Sequence, residues 1–292
     1  MASTESASAQ RIEVEPLAQL DATALAMLQG LVADSHWNQV AADWALFHQA
    51  GTIQVVREKG RIVASGAVLP MGASEAGASG VSWISMILVT PAERARGLGR
   101  AVFGRCLEQV QASGRIPMLD ATPAGEALYR QFGFEPQLRL TRWRREARAA
   151  TQPVLSDLLP GLDTLVALDG QALGFERPRL LADLLARPST LCVRTAQALA
   201  LVRAGRTAHQ IGPLLAADEA AAAAALNRAA ASLDGAIYID VPDPRPRMHA
   251  ALEAAGFQPQ RGFARMARVD RGQVPPAGQY ALLHAIAGPE FA

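Results

Sequence analysis

The stretch Val89-Thr90-Pro91-Ala92-Glu93-Arg94-Ala95-Arg96-Gly97-Leu98-Gly99-Arg100 decides how the rest of the chain is read. It follows the apolar run Val81–Val89. It opens a helix predicted from Leu98 to Ala112, on which Leu98, Val102, Cys106 and Val110 share one face. Pro91 ends the strand, because it cannot continue a ladder. A strand, a glycine-rich turn and a helix N-terminus together make an anion site. The first N–H groups of the helix have no partner within it, and the helix dipole adds partial positive charge. Gly97 and Gly99 let a ligand approach where a Cβ would intrude, and Arg94, Arg96 and Arg100 carry charge suited to phosphates. Two other nucleotide loops fit poorly. A Walker A loop needs Lys-Ser/Thr after its last glycine, and the dinucleotide fingerprint needs a third glycine where Val102 stands.

Before this stretch, helices are expected over Asp21–Asp34 and Val40–Gln49. The runs Thr52–Arg57 and Arg61–Leu69, joined by Glu58-Lys59-Gly60, read as a hairpin. A loop of Gly, Ala and Ser spans Gly72–Gly80. Beyond the long helix, Ile116–Leu119 is expected as a strand. A helix over Gly125–Gln131 ends at a left-handed cap, Gly133, and Arg139–Trp143 is expected as a last strand.

The second half repeats part of this plan. Gly133-Phe134-Glu135-Pro136-Gln137 is echoed by Gly256-Phe257-Gln258-Pro259-Gln260, and each copy then carries an arginine, Arg142 and Arg265. Asp120 and Asp240 each end a strand before the corresponding helix, and Thr190–Arg194 echoes Thr52–Arg57. Such a repeat implies two copies of one domain. The expected division is a disordered tail over 1–10, a first domain over 11–149 and a second over 150–292, with the boundary near Ala149–Pro153.

The 292 residues suffice for two such cores. Half of them are hydrophobic and 19% are charged, the balance of a folded soluble chain. The net charge of +1 gives no general attraction to nucleic acid or to an anionic membrane. No apolar run is long enough to span a bilayer. The polar start MASTESASAQ lacks the pattern of a secretory signal. Cys106 and Cys192 lie far apart in apolar runs and form neither a disulfide framework nor a metal pair, which points to a reducing, cytoplasmic setting. The five histidines show no ligand spacing, so no metal site is expected.

The pattern Val-x-Pro-x-x-Arg-x-x-Gly-x-Gly resembles the pyrophosphate loop of the GCN5-related N-acetyltransferase (GNAT) superfamily. Ala127-Leu128-Tyr129-Arg130-Gln131-Phe132-Gly133-Phe134 is similar to that superfamily's second signature, at a matching distance. The resemblance implies an α/β fold: two tandem domains, each a mixed, mostly antiparallel sheet with a splayed centre between helices. It implies acetyl-CoA as co-substrate and a primary amine, of a small molecule, as acceptor. A protein lysine or N-terminus is the runner-up acceptor, and a non-catalytic acyl-CoA sensor is the reading from another class. Residue by residue, it implies that the main chain of Leu88 and Val89 meets the pantetheine arm. The backbone over Arg94, Ala95, Arg96, Gly97, Leu98, Gly99 and Arg100 holds the pyrophosphate. Tyr129 protonates the departing thiolate. Thr122 stands where the superfamily often has a cofactor-touching Asn. Asp120 is a weak candidate base, with His36 as another. The segment His36-Trp37-Asn38-Gln39 is a weak candidate for the amine site.

A narrower resemblance, to a tandem-domain subgroup, rests on three groups of residues. They are Trp37-Asn38-Gln39 with Asp43-Trp44, Leu119-Asp120-Ala121-Thr122-Pro123, and Ala172-Leu173-Gly174-Phe175 with Arg177. The second copy departs from the pattern. Its segment Ile211–Ala220 has no glycine pair before the helix and no arginine, Asp218 and Glu219 fall in the first turn, and Leu252 occupies the Tyr129 position. It is expected to lack cofactor binding and to be structural or to wall the acceptor site. The arrangement leaves oligomerisation open.

Overall fold

A computed structural model describes residues 12–72, 80–155 and 157–292. The expected tail over 1–10 and most of the expected Gly72–Gly80 loop lie outside the described residues. The first half contains β1 (Glu15–Pro16), α1 (Ala22–Asp34), α2 (Ala41–Ala50), β2 (Thr52–Glu58), β3 (Arg61–Met71) and β4 (Val81–Val89). These are followed by α3 (Leu98–Ala112), β5 (Ile116–Ala121), α4 (Pro123–Arg130) and β6 (Glu135–Arg148). The second half contains α5 (Leu162–Leu173), α6 (Pro178–Ala186), β7 (Leu191–Arg194), β8 (Ala198–Ala204), β9 (His209–Ala216) and α7 (Glu219–Ala231). It ends with β10 (Gly235–Pro242), α8 (Pro246–Ala254), β11 (Gln258–Ala267) and β12 (Leu283–Ala285).

Local chemistry sets many of these boundaries. Asp21 caps α1 by accepting from the Ala24 N–H at 2.7 Å. The Asp43 carboxylate reaches back to the Val40 N–H at 2.8 Å at the start of α2. Gly133 and Gly256, both at φ 81°, turn the chain in the left-handed conformation after α4 and α8, so the two repeated Gly-Phe pairs serve one geometric purpose. The strand expected over Arg139–Trp143 runs instead from Glu135 to Arg148, because partners on both sides extend it. The segment Ile211–Ala216, expected to follow the central strand of the second copy, is itself most of β9, so β9 passes to α7 through Ala217 and Asp218 alone.

Beyond β12, which pairs with β9, the strands form one continuous sheet in the order β1-β2-β3-β4-β5-β11-β6-β10-β9-β8-β7. The only parallel pairs described are β4–β5 and β9–β10, one in each copy. The repeat is therefore visible as β2-β3-β4-α3-β5-α4-β6 against β7-β8-β9-α7-β10-α8-β11. The two copies exchange their last strands. β11 of the second copy inserts between β5 and β6, and β6 of the first copy lies against β10. We propose 11–149 and 150–292 as the units of duplication, with each unit's sheet completed by the other.

Helices cover the sheet by apolar stripes. Val102, Phe103 and Cys106 of α3 are fully buried and pack with Phe134. Each such side chain contributes roughly 1.5–3 kcal/mol by leaving water. Trp44 and Phe47 of α2 share a single core cluster with Leu165 and Leu181 of the second half. The second copy has its own core of α7 and α8 residues, including Ala225, Leu226, Met248 and Leu252.

Candidate active site

The site begins where β4 and β5 part. Their parallel pairing ends at Trp83–Met118, and from Ile84 onward β4 is no longer paired with β5. On its other edge β4 carries a bulge. Ser65 faces Leu88 and Ala67 faces Ser85, so Met86 and Ile87 together oppose Gly66. Met86 takes φ 57°, a conformation rare outside glycine. Gly66 makes room for this, since a Cβ there would meet Ile87 Cδ1 at 2.7 Å and Val102 Cγ1 at 2.6 Å. The bulge puts Met86 and Ile87 on the wall of a cleft, while the Leu88 side chain turns into the core.

Next to the end of β4 lies the glycine-rich turn. Pro91–Glu93 form a short 3-10 turn, and Ala95 and Gly97 adopt φ 63° and 82°. Alternating left-handed residues point successive N–H groups to one side, which is the geometry of an anion cradle. Gly97 is the N-cap of α3, with no side chain to occupy the first N–H groups. A Cβ on Gly99 would meet only Val89, at an ordinary 3.5 Å, so packing inside the protein does not demand glycine there. The three arginines differ. Arg96 is held by Glu58 at 2.9 Å and by Glu93. Arg94 Nε donates to its own turn, at the Val89 carbonyl, 3.3 Å away. Arg100 donates to Gln131 at 2.6 Å and lies over the Phe132 ring. The equivalent helix of the second copy is closed: the Asp218 carboxylate caps α7 by accepting from the Ala221 N–H at 2.8 Å. Leu252, at the position of Tyr129, is buried in the second core.

The cleft itself is small, with a volume of ≈ 70 Å³. Tyr129 and Thr122 line one side. Phe103 packs against Tyr129 at a 45° tilt, 4.5 Å between centroids, and Phe134 lies 6.3 Å from it. Burial pushes the Tyr129 hydroxyl well above the usual tyrosine range. Gly125 leaves space for the ring, because a Cβ there would stand 2.9 Å from Tyr129 Cε2. Thr122 also caps α4, its hydroxyl accepting from the Gly125 N–H at 3.3 Å.

Several residues singled out from the sequence behave differently from one another. Trp37 and Gln39 reach the cleft. His36 does not line it, and its φ of 54° belongs to the turn that ends α1. Asn38 does not line it either. Its side-chain oxygen accepts from the N–H groups of Thr207 and Ala208 at 2.9 and 3.1 Å, and its amide donates to the Ala208 carbonyl at 3.0 Å. Asn38 therefore ties the α1–α2 connection to the β8–β9 hairpin. Asp120 lies at the cleft, but both its oxygens are engaged by Arg265, at 3.0 and 2.9 Å. Burial raises the Asp120 pKa and the guanidinium opposes the shift. Arg265 engages both oxygens of this carboxylate, which gives Asp120 a structural role as an ion-pair anchor between the two copies.

Sequence reasoning allowed the second half to wall the acceptor site but named none of the residues that do so: Arg261, Phe263, Pro289 and Glu290 of the second half line the cleft, together with Arg142 of the first. Glu290 is buried, accepts from Gln39 at 2.8 Å and pairs with Arg203 at 2.6 Å. Burial raises its pKa, against the pull of Arg203. The only available signal was the repeated charge in otherwise apolar strands, Arg142 and Arg265 against Asp120 and Asp240. Such charges require partners. No cluster of metal-ligating side chains occurs among the described residues, and none of the described helices is long and apolar enough to cross a membrane.

A model of the "Acetyltransferase (GNAT) family" matches residues 22–134, and one of the "Acetyltransferase (GNAT) domain" matches residues 165–280. The chain is 27% identical over 187 residues to the N-acetyltransferase YitH of Bacillus subtilis, itself uncharacterised. That match covers 60% of this chain and 65% of YitH, just under two thirds of the relative's length. A structure from Pyrococcus horikoshii assigned to the acetyltransferases superposes with a TM-score of 0.77 at 18% identity, covering 97% of this chain and 96% of that one. A tandem GNAT protein from the clavulanic acid biosynthesis pathway superposes with a TM-score of 0.57 at 16% identity, covering 88% and 98%. The two matched segments take up most of the sequence and coincide with the two copies seen in the sheet; the chain belongs to the GNAT acetyltransferases, with two GNAT domains in tandem.

Proposed function

We propose that this protein moves an acetyl group from acetyl-CoA to the primary amine of a small molecule, at a single site in its first half walled by the second. The observation that carries this reading is the asymmetry between the copies. The first has a splayed β4, an uncapped α3 N-terminus and Tyr129 at the cleft. The second has a carboxylate-capped α7 and a buried Leu252. An anion cradle and a hydroxyl at the cleft are what the transfer requires, and the second copy offers neither.

In this reading the turn from Arg94 to Arg100 holds the pyrophosphate, and the main chain at Leu88 and Val89 meets the pantetheine arm. The neutral amine attacks the thioester carbonyl carbon directly. A C–N bond forms, the C–S bond breaks, and the departing thiolate takes the proton of Tyr129. The excess proton on nitrogen passes through solvent and restores the tyrosine. Tyr129 is protonated at neutral pH like any tyrosine, as a general acid must be, and burial raises its pKa further. Pro289, Glu290 and Trp37 line the cleft together with Tyr129; taken as the wall of the acceptor end, they favour a small molecule over a protein segment. The buried thiols of Cys106 and Cys192 suit a reducing, cytoplasmic setting.

The test is steady-state turnover with a panel of small amines, for the wild type and Tyr129→Phe. The expected result is a loss in kcat of about 10²-fold or more, with acetyl-CoA affinity nearly unchanged. Unchanged kcat in the variant would remove Tyr129 from the chemistry.

A further inference from the structure

The charges around the cleft do not balance, and the imbalance sits on one residue. Asp120 is paired with Arg265, Arg142 with Asp240, and Glu290 with Arg203. Arg261 lines the same cleft and makes no hydrogen bond or ion pair through its side chain with any described residue, and its Nε is buried. Its position makes the isolation costly. Arg261 stands directly opposite Arg142 across the β11–β6 ladder, and like charges placed so repel. Phe263 lies beneath the guanidinium, 5.0 Å from ring centroid to Cζ, which holds the head in one orientation. The fold does not ask for this arginine. When Gly133 and Arg142 are superposed on Gly256 and Arg265 in the repeat, the residue equivalent to Arg261 is Leu138.

We propose that Arg261 binds a carboxylate on the acceptor, so that the molecule acetylated is an amine that also bears a carboxylate, as an amino acid does. This rests on the acetyltransferase reading above and narrows its acceptor. One unpaired guanidinium matches one negative charge, and its planar fork matches a carboxylate. A doubly charged phosphate would face Asp120 and Glu290 across the same cleft with nothing left to balance its second charge. An acceptor carboxylate would complete the set of ion pairs and offset the repulsion from Arg142. It would also fix the acceptor on a strand of the second copy, which gives that copy a part in specificity without a cofactor site of its own.

The experiment compares kcat/KM for free amino acids and for the matching amino-acid amides, with wild type, Arg261→Gln and Arg261→Lys. The wild type should prefer the free acids by 10-fold or more. Arg261→Gln should lower kcat/KM for the acids about 10- to 100-fold, mainly through KM, and leave the amides within about 3-fold. Arg261→Lys should recover part of the loss. Equal use of acids and amides by the wild type, or a loss in Arg261→Gln that is the same for both, would overturn the assignment while leaving the transferase intact. A wild type that binds acetyl-CoA and acetylates neither set would overturn the transferase reading and this one with it.

Discussion

Arg265 and Asp120 come from opposite copies of the repeat and form a fully buried bidentate pair, Nε to Oδ1 at 3.0 Å and Nη2 to Oδ2 at 2.9 Å. Its mate is Arg142 with Asp240, at 2.8 Å for both contacts. In each pair the arginine sits on the exchanged last strand and the aspartate on the strand of the other copy. The pairs follow from the exchange: β11 lies beside β5 with Arg265 opposite Asp120, and β6 lies beside β10 with Arg142 opposite Asp240. Breaking one pair should cost roughly 3–5 kcal/mol, because the partner is left charged and buried. Arg265→Met should therefore lower the unfolding free energy by about that amount, as read from urea melts. The double change Asp120→Leu with Arg265→Met should recover most of it. A single variant as stable as the wild type would mean the pair carries no structural weight.

The exchanged strands also make the halves inseparable. A chain ending at Ala149 lacks β11, so β5 and β6 lose the strand between them. The expected outcome is an aggregating chain without a cooperative melt, since bared strand edges invite pairing with other chains. Co-expression with residues 150–292 should restore a soluble complex. A cooperative, monomeric melt of the first half alone would show that the exchange is dispensable.

Tyr129 should leave a mark on the pH profile. The acid works only while protonated, so activity falls as pH rises through its pKa. Burial raises that pKa, so this limb should lie above the ordinary tyrosine value of about 10. From pH 6 to 9 the rate should only climb or level off, as the amine loses its proton. A falling limb below pH 9 would contradict the assignment. Gly125→Ala gives a second test. The new Cβ would press on the Tyr129 ring from 2.9 Å, while alanine is the better helix former. The variant should lose kcat by about 10-fold or more and keep its melting temperature.

Asn38 should matter for stability and not for chemistry. It bridges the two copies through Thr207 and Ala208, and a Cβ on Gly205 would stand 2.1 Å from its amide nitrogen, so the fit is close. Asn38→Ala leaves several buried groups without partners and should cost about 1–3 kcal/mol, with the acetyl-CoA dissociation constant unchanged. A large change in cofactor affinity would give Asn38 a role that the geometry does not.

The sequence made local structure legible and long-range pairing much less so. α3 begins and ends where the apolar spacing of Leu98, Val102, Cys106 and Val110 placed it, and Gly97 takes the left-handed φ that its turn required. Tyr129 and Thr122 reach the cleft because they lie close in sequence to the strand and helix that were recognised. Arg261 and Glu290 were invisible, since they stand more than a hundred residues from Tyr129; Arg261 reaches the cleft on the exchanged strand β11, and Glu290 on the segment that follows β12. A repeated motif shows that two copies exist, but it does not show which copy's last strand pairs with which sheet. For the same reason Asp120 looked like a free carboxylate: its partner, Arg265, belongs to the other half. His36 and Asn38 stood beside the right residues, Trp37 and Gln39, but the turn after α1 directs only alternate members of that segment toward the cleft.

Each chain should hold one acetyl-CoA, at the turn before α3. Calorimetric titration of acetyl-CoA into the wild type and into Gly99→Glu measures this. The glutamate has room within the protein, where its Cβ meets only Val89 at 3.5 Å, and an acidic residue in the first turn favours the helix. The fold should therefore survive while the added charge fills the cradle. One site per chain is expected in the wild type and none in the variant; two sites per chain, or undiminished binding in Gly99→Glu, would show that the turn before α3 is not the single cofactor site.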